Sequence, residues 1–232
     1  MKVIFAKFPT SKFSKWLLWL IICLLLVGTL VFFRPGKASI TKEEVLQAVY
    51  NTGQSQNFHW HIVTEIEFKG VHNILSDIDG DKNEDAFRIK GNFLKTPLEI
   101  IKIENMTYRM DSITKQWLVI KNKDTATEEV LTTELNPLAA LNFAAINDFN
   151  TEGIKIQDKS ETFKIELVPQ VASPYLTKYW QEFQYTLLVD KDKKYLQGYQ
   201  LTAKSKNDPT GIIQMKVDFS GFEKKISITP PI

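Results

Sequence analysis

Asn57-Phe58-His59-Trp60-His61-Ile62-Val63-Thr64-Glu65-Ile66-Glu67-Phe68 is the stretch on which the fold turns. Side chains of an extended strand point alternately to two faces. Phe58, Trp60, Ile62, Thr64, Ile66 and Phe68 fall on one face, and His59, His61, Val63, Glu65 and Glu67 on the other. The spacing predicts a long strand with one apolar and one mostly polar face. Upstream, Thr41-Lys-Glu-Glu-Val-Leu-Gln-Ala-Val-Tyr50 follows a helical period. Thr41 is placed to cap it, Glu43 and Glu44 suit its first turn, and Val45, Leu46, Val49 and Tyr50 form its apolar stripe.

Downstream, short β-rich runs recur at Val71–Ser76, Ala86–Phe93, Leu98–Glu104, Met106–Met110 and Trp117–Lys121. Turn-forming residues separate them, among them Asp79-Gly80, Lys95-Thr96-Pro97 and Asp111-Ser112. This rhythm predicts an antiparallel meander. From Glu128 to Phe149 the leucines and aromatics recur near helical spacing, so helix is expected there, with Pro137 in the first turn of its main segment. Strands resume at Gly153–Gln157 and Thr162–Val168. A short helix is expected at Pro174–Phe183, then a hairpin of Gln184–Val189 and Leu196–Lys204 around Asp190–Lys194. Ile212–Phe219 and Lys225–Ile228 are the last strand candidates. The fold class is therefore mainly β (α+β): a large antiparallel sheet that must bury one face, with the helices as its cover.

Working back to the N-terminus, Trp16–Phe33 is an apolar segment without a charged residue. At about 1.5 Å per residue it approaches the ~30 Å hydrocarbon core of a bilayer. Trp16 and Trp19 at one end and Phe32 and Phe33 at the other suit the two interfaces. Lys2, Lys7, Lys12 and Lys15 precede the segment with no acidic residue among them, which keeps the N-terminus in the cytoplasm. A cleaved signal peptide would have a shorter apolar core and a small-x-small cleavage site, and Phe32-Phe33-Arg34-Pro35-Gly36-Lys37-Ala38-Ser39 offers no good Ala-x-Ala pattern, so a retained anchor is the favoured reading. A lipid-modified cysteine would follow a small residue, whereas Ile22 precedes Cys23. The expected organisation is a cytoplasmic tail at 1–15, a transmembrane helix at 16–33, a linker at 34–40 and an extracytoplasmic domain at 41–232. The localisation is then the cell membrane, single-pass, with the domain held close to its outer surface.

Lys+Arg total 29 and Asp+Glu 27, a net charge of +2, which gives no reason to expect nucleic acid as a partner. The single cysteine lies in the apolar segment, so no disulfide framework can form. No G-x-S-x-G, P-loop, H-E-x-x-H or C-x-x-C motif occurs, and an enzyme is not expected. His59 and His61 share a strand face and could ligate a metal, but few further ligands accompany them, and a solvated face explains them as well. Asp77, Asp79 and Asp81 around Gly80 resemble the D-x-D-G-D core of a calcium loop. Arg88 stands where an EF-hand would carry its last glutamate, and an acidic hairpin turn explains the run equally. Calcium is the one cofactor the sequence raises.

The order of elements, and the run Phe87-Arg-Ile-Lys-Gly-Asn-Phe93, Pro97-Leu-Glu-Ile-Ile-Lys-Ile103, Glu104-Asn-Met-Thr-Tyr-Arg-Met-Asp111 and Lys115-Gln-Trp117, resemble the LolA/LolB and LppX-type lipoprotein-carrier superfamily. Met106-Thr-Tyr108-Arg-Met-Asp111 followed by Trp117 is similar to that family's Tyr-x-x-Asp strand and the tryptophan that opens its next strand. The resemblance implies a curved antiparallel half-barrel with helices on its concave side and an apolar groove between them. The groove would draw on Phe58, Trp60, Ile62 and Ile66 from the long strand and on Leu138, Leu141, Phe143 and Ile146 from the expected helix. The same residues packed tightly would be an ordinary core. The implied partner is a lipid, an acyl chain or a lipidated protein met at the membrane. The alternative is a non-catalytic sensor or scaffold that contacts another envelope protein. A membrane anchor departs from the family habit of soluble or lipid-anchored carriers and argues against free shuttling.

Overall fold

A computed structural model describes residues 40–121, 135–155 and 161–231. The chain divides into two units, Met1–Ala38 and Ser39–Ile232. The first, with the segment Trp16–Phe33, lies outside the described residues. Among the described residues no helix is long and apolar enough to cross a membrane.

The second unit opens with α1 (Lys42–Gln54). The Thr41 hydroxyl accepts from Glu44 N–H and the Glu44 carboxylate accepts from Thr41 N–H, so two otherwise orphaned donors are satisfied. The Thr41 amide holds the Glu44 carboxyl below its ordinary pKa. The buried face is Val45, Ala48 and Thr52, while Leu46 and Tyr50 of the expected stripe are exposed. Small residues at 48 and 52 bring the helix close to the sheet. Thr52 donates its hydroxyl to Ala48 O at 2.8 Å and accepts Leu196 N–H at 2.9 Å, which joins the helix to a strand.

Eleven strands follow: β1 (Asn57–Phe68), β2 (Val71–Asn83), β3 (Ala86–Phe93), β4 (Thr96–Ile103), β5 (Met106–Met110), β6 (Trp117–Lys121), β7 (Phe143–Lys155), β8 (Glu161–Val171), β9 (Trp180–Asp190), β10 (Tyr195–Ser205) and β11 (Ile212–Ser220). They form one open antiparallel sheet in the order β6-β5-β4-β3-β2-β1-β11-β10-β9-β8-β7. Two meanders, β1–β6 and β7–β11, are thus stitched together along β1 and β11. A short helix, α2 (Pro174–Tyr179), capped by Ser173 and started by Pro174, precedes β9. Inward side chains from both meanders, with α1, share one buried cluster that runs from Val45 through Phe58 and Ile78 to Leu187 and Val217. The sheet is curled around that cluster as a half-barrel.

Three sequence expectations change. Of the segment expected to be helical, residues 128–134 lie outside the described residues, Leu135 is helical, Ala139–Leu141 form a 3-10 turn, and β7 starts at Phe143. Phe143 and Ile146 are therefore strand residues. Irregular register between β7 and β8, at Phe143/Ala145 and Ile146/Asp148, places the half-buried positions at 143, 146 and 149. Bulges insert an extra residue and so convert a period of two into apparent steps of three. Second, Asp79-Gly80 is not a turn. β2 runs through it and is paired on both sides, with β1 and with β3, and the turn falls at Glu84-Asp85. Third, α2 ends at Tyr179 rather than Phe183, and Lys225–Ile228 does not join the sheet.

Candidate functional site

The register of β1 to β4 aligns the inward side chains in rows across the sheet. Phe58, Lys82, Phe87 and Lys102 are direct cross-strand neighbours in sequence of strands. Next to them run Trp60, Gly80, Ile89 and Ile100, then Ile62, Ile78, Gly91 and Leu98. Rows of this kind stack side chains on one face of a sheet. The middle rows are apolar, and the row at the Asn57 end alternates aromatic and cationic side chains.

Gly80 makes room for Trp60. A Cβ at Gly80 would sit 2.0 Å from Trp60 Cε2. The indole therefore lies flat on the backbone of β2, where any side chain would displace it. Trp60 is 6% exposed, and its Nε1–H finds no acceptor among the described residues. Phe58 packs beside it, ring centroids 5.6 Å apart.

Above these rows passes the segment Leu135–Leu141. Leu135, Pro137, Ala140 and Leu141 are buried. Two tyrosines from the opposite meander hold its backbone. Tyr199 donates to Pro137 O and Tyr185 to Ala140 O, each at 2.6 Å. Burial pushes both phenols well above the ordinary tyrosine pKa, so both stay protonated donors. The segment is thus fixed over the concave face like a strap.

Between strap and sheet lies a cavity of about 420 Å³. Phe58, Trp60, Phe87 and Ile89 form its floor, Leu135 and Leu138 its roof, and Lys82 and Lys102 stand in its wall. On the other side of the strap a smaller cavity of about 40 Å³ reaches Phe93, Leu176 and Met215. Leu135 and Asn136 border both, so the strap is the partition between them. A concavity of about 620 Å³ over β7–β9 is polar along Asp148, Asn150, Glu166 and Gln184, and offers less to an apolar guest.

Of the residues singled out in the sequence, Phe58, Trp60 and Leu138 line the main cavity. Ile62 and Leu141 are buried in the adjoining core, and Ile66, Phe143 and Ile146 pack half-buried against it. Groove and core are thus one continuous apolar mass, with hollows on both sides of the strap. The sequence reading missed Lys82, Phe87, Ile89 and Lys102. The alternation Phe87, Ile89 was visible, but its alignment with β1 needs the register of β2.

Asp77, Asp79 and Asp81 project from the other face of β2, so the run lies in a strand and not in a loop. Asp81 pairs with His59, and Asp77 with His61 at 2.9 Å. The alternation of a strand spreads the three carboxylates along its length instead of converging them on a point. Among the described residues no three His, Cys, Asp or Glu side chains gather into a metal-holding group.

Comparison with known proteins bears on the fold. No protein-family model matches the chain, and no curated protein sequence matches it. Two of the solved structures similar to it bear most on the fold. Lipoprotein LppX of Mycobacterium tuberculosis is 14% identical, aligns over 81% of this chain and 97% of its own, and superposes with a TM-score of 0.51. LprF from Mycobacterium bovis is 12% identical over 82% of this chain and 95% of its own, with a TM-score of 0.52. The second unit therefore shares its fold with LppX and LprF, in line with the expectation from its element order.

Proposed function

We propose that this chain is a non-catalytic binding module. It holds a lipid, an acyl chain or the lipid part of a lipidated polypeptide between strap and sheet, and Trp16–Phe33 tethers it to the cell membrane. The observation that carries the reading is the hollow of about 420 Å³ under Leu135–Leu138, floored by Phe58, Trp60, Phe87 and Ile89. The space is a cleft open at its rim and apolar at its floor, as a site that admits a chain from outside must be. Its volume lies in the lower part of the range for small-molecule sites, about 300–1,000 Å³, which suits one chain better than a lipid with several. Each methylene moved from water into such a site contributes about 0.8 kcal/mol. The likeness in fold to lipoprotein LppX supports the same reading.

Native mass spectrometry of the purified full chain tests it. The expected result is a population heavier by the mass of one lipid or fatty acid, and saturable uptake of a fluorescent fatty acid after delipidation. A chain with no bound lipid and no uptake contradicts the proposal.

A further inference from the structure

The rim of the cavity carries a pattern its interior lacks. Phe58 on β1, Lys82 on β2, Phe87 on β3 and Lys102 on β4 stand side by side in one cross-strand row. Aromatic and ammonium groups alternate along it. Lys82 Nζ lies 5.5 Å from the centroid of the Phe58 ring, and Lys102 Nζ 5.9 Å from that of Phe87. Both lysines are half-buried and line the cavity. Lys82 donates to Ser55 O at 2.9 Å. Neither lysine forms an ion pair with a described carboxylate.

A half-buried ammonium without an ion-paired carboxylate is an incomplete arrangement. Desolvation disfavours its charge: burial lowers the pKa of Lys82, and the charge of Asp85 offsets only part of that. A cation–π contact compensates only in part. The carboxylates nearest in the lining, Glu84 and Asp85, belong to the exposed β2–β3 turn, so they leave the two lysines the less hydrated charges at the rim. The next row inward, Trp60, Gly80, Ile89 and Ile100, has no charge at all.

On the reading that the cavity holds an acyl chain, we propose that the ligand is an anionic single-chain amphiphile, its acidic head held by Lys82 and Lys102 and its chain over Trp60 and Ile89. The cross-strand row sets the polarity of binding: head at the Asn57 end of β1, tail towards the strap. A carboxylate or phosphate head gains two charge-assisted hydrogen bonds in a partly desolvated site. An uncharged head leaves both ammonium groups as they are.

Equilibrium binding to the full chain, kept in amphipol, compares palmitate with hexadecanol and hexadecyltrimethylammonium by displacement of a fluorescent fatty acid. Wild type, Lys102→Gln and the double variant Lys82→Gln/Lys102→Gln are measured, with Lys102→Gln as the readout should the double variant not fold. The expected result is palmitate tightest in wild type, weakened about tenfold or more by the substitutions, with hexadecanol unmoved. Equal binding of palmitate and hexadecanol, or no loss of palmitate affinity in either variant, overturns the head-group assignment and leaves the apolar groove standing. No displacement by any of the three overturns both.

Discussion

A glycine decides where the indole of Trp60 can lie. Because a Cβ at Gly80 would overlap the ring, Gly80→Ala must push Trp60 into the cavity or bend β2. Overpacking of this kind costs about 1–3 kcal/mol. We expect a melting temperature lower by several degrees, together with weaker fatty-acid uptake, because the displaced ring fills the space a chain would use. Unchanged stability and uptake would mean that the indole has room elsewhere. The two strap tyrosines make a second residue-scale statement. Tyr199→Phe leaves Pro137 O without its buried donor, at a cost of about 1–3 kcal/mol. It also carries a pH signature. Burial raises the folded-state pKa of Tyr185 and Tyr199 above the ordinary value of 10.0. Above that value the unfolded chain releases protons that the folded chain retains, so stability is fully present below about pH 10 and falls as pH rises past it. Denaturant midpoints measured on both sides of pH 10 should drop more for wild type than for Tyr199→Phe. Parallel pH profiles would show that the phenol is not a proton-linked tether.

At the scale of elements, α1 and the strap close the open sheet. α1 depends on Thr52, whose hydroxyl bridges Ala48 O and Leu196 N–H. Thr52→Val keeps the shape and removes the acceptor, so Leu196 N–H becomes a buried orphan. We expect a loss of about 1–3 kcal/mol and faster amide exchange in α1 than in β9 and β10. Loss of protection spread evenly over the sheet would contradict a docking role for Thr52. The elements also show which signals the sequence carries openly. β1 was legible because its alternation is unbroken from Phe58 to Ile66. β7 was not, because its bulges move Phe143, Ile146 and Phe149 onto helical steps. The apolar residues there were correctly assigned to the interior on the wrong backbone. β2 was truncated in the sequence reading because Asp79-Gly80 carries turn chemistry. The glycine answers instead to a tryptophan on the neighbouring strand, a demand that no local window contains.

For the whole molecule, the half-barrel was legible from element order and the cavity was not. Composition and periodicity say which residues turn inward. They do not say whether the facing surfaces touch. Phe58, Trp60 and Leu138 were expected to meet and do, around empty space, whereas Ile62 and Leu141 fill solid core. The difference arises from the strap, whose path is fixed by hydrogen bonds to Tyr185 and Tyr199, 45 and 62 residues away along the chain. Such a contact costs loop-closure entropy and leaves no local trace in sequence. The account's central claim is that this hollow receives an acyl chain. Photo-crosslinking of the full chain with a palmitate analogue carrying a diazirine in mid-chain tests it most directly. The account predicts adducts on peptides containing Phe58–Trp60, Phe87–Ile89 and Leu135–Leu138, abolished by excess palmitate. Adducts confined to the outer face of the sheet, or insensitive to palmitate, would contradict it.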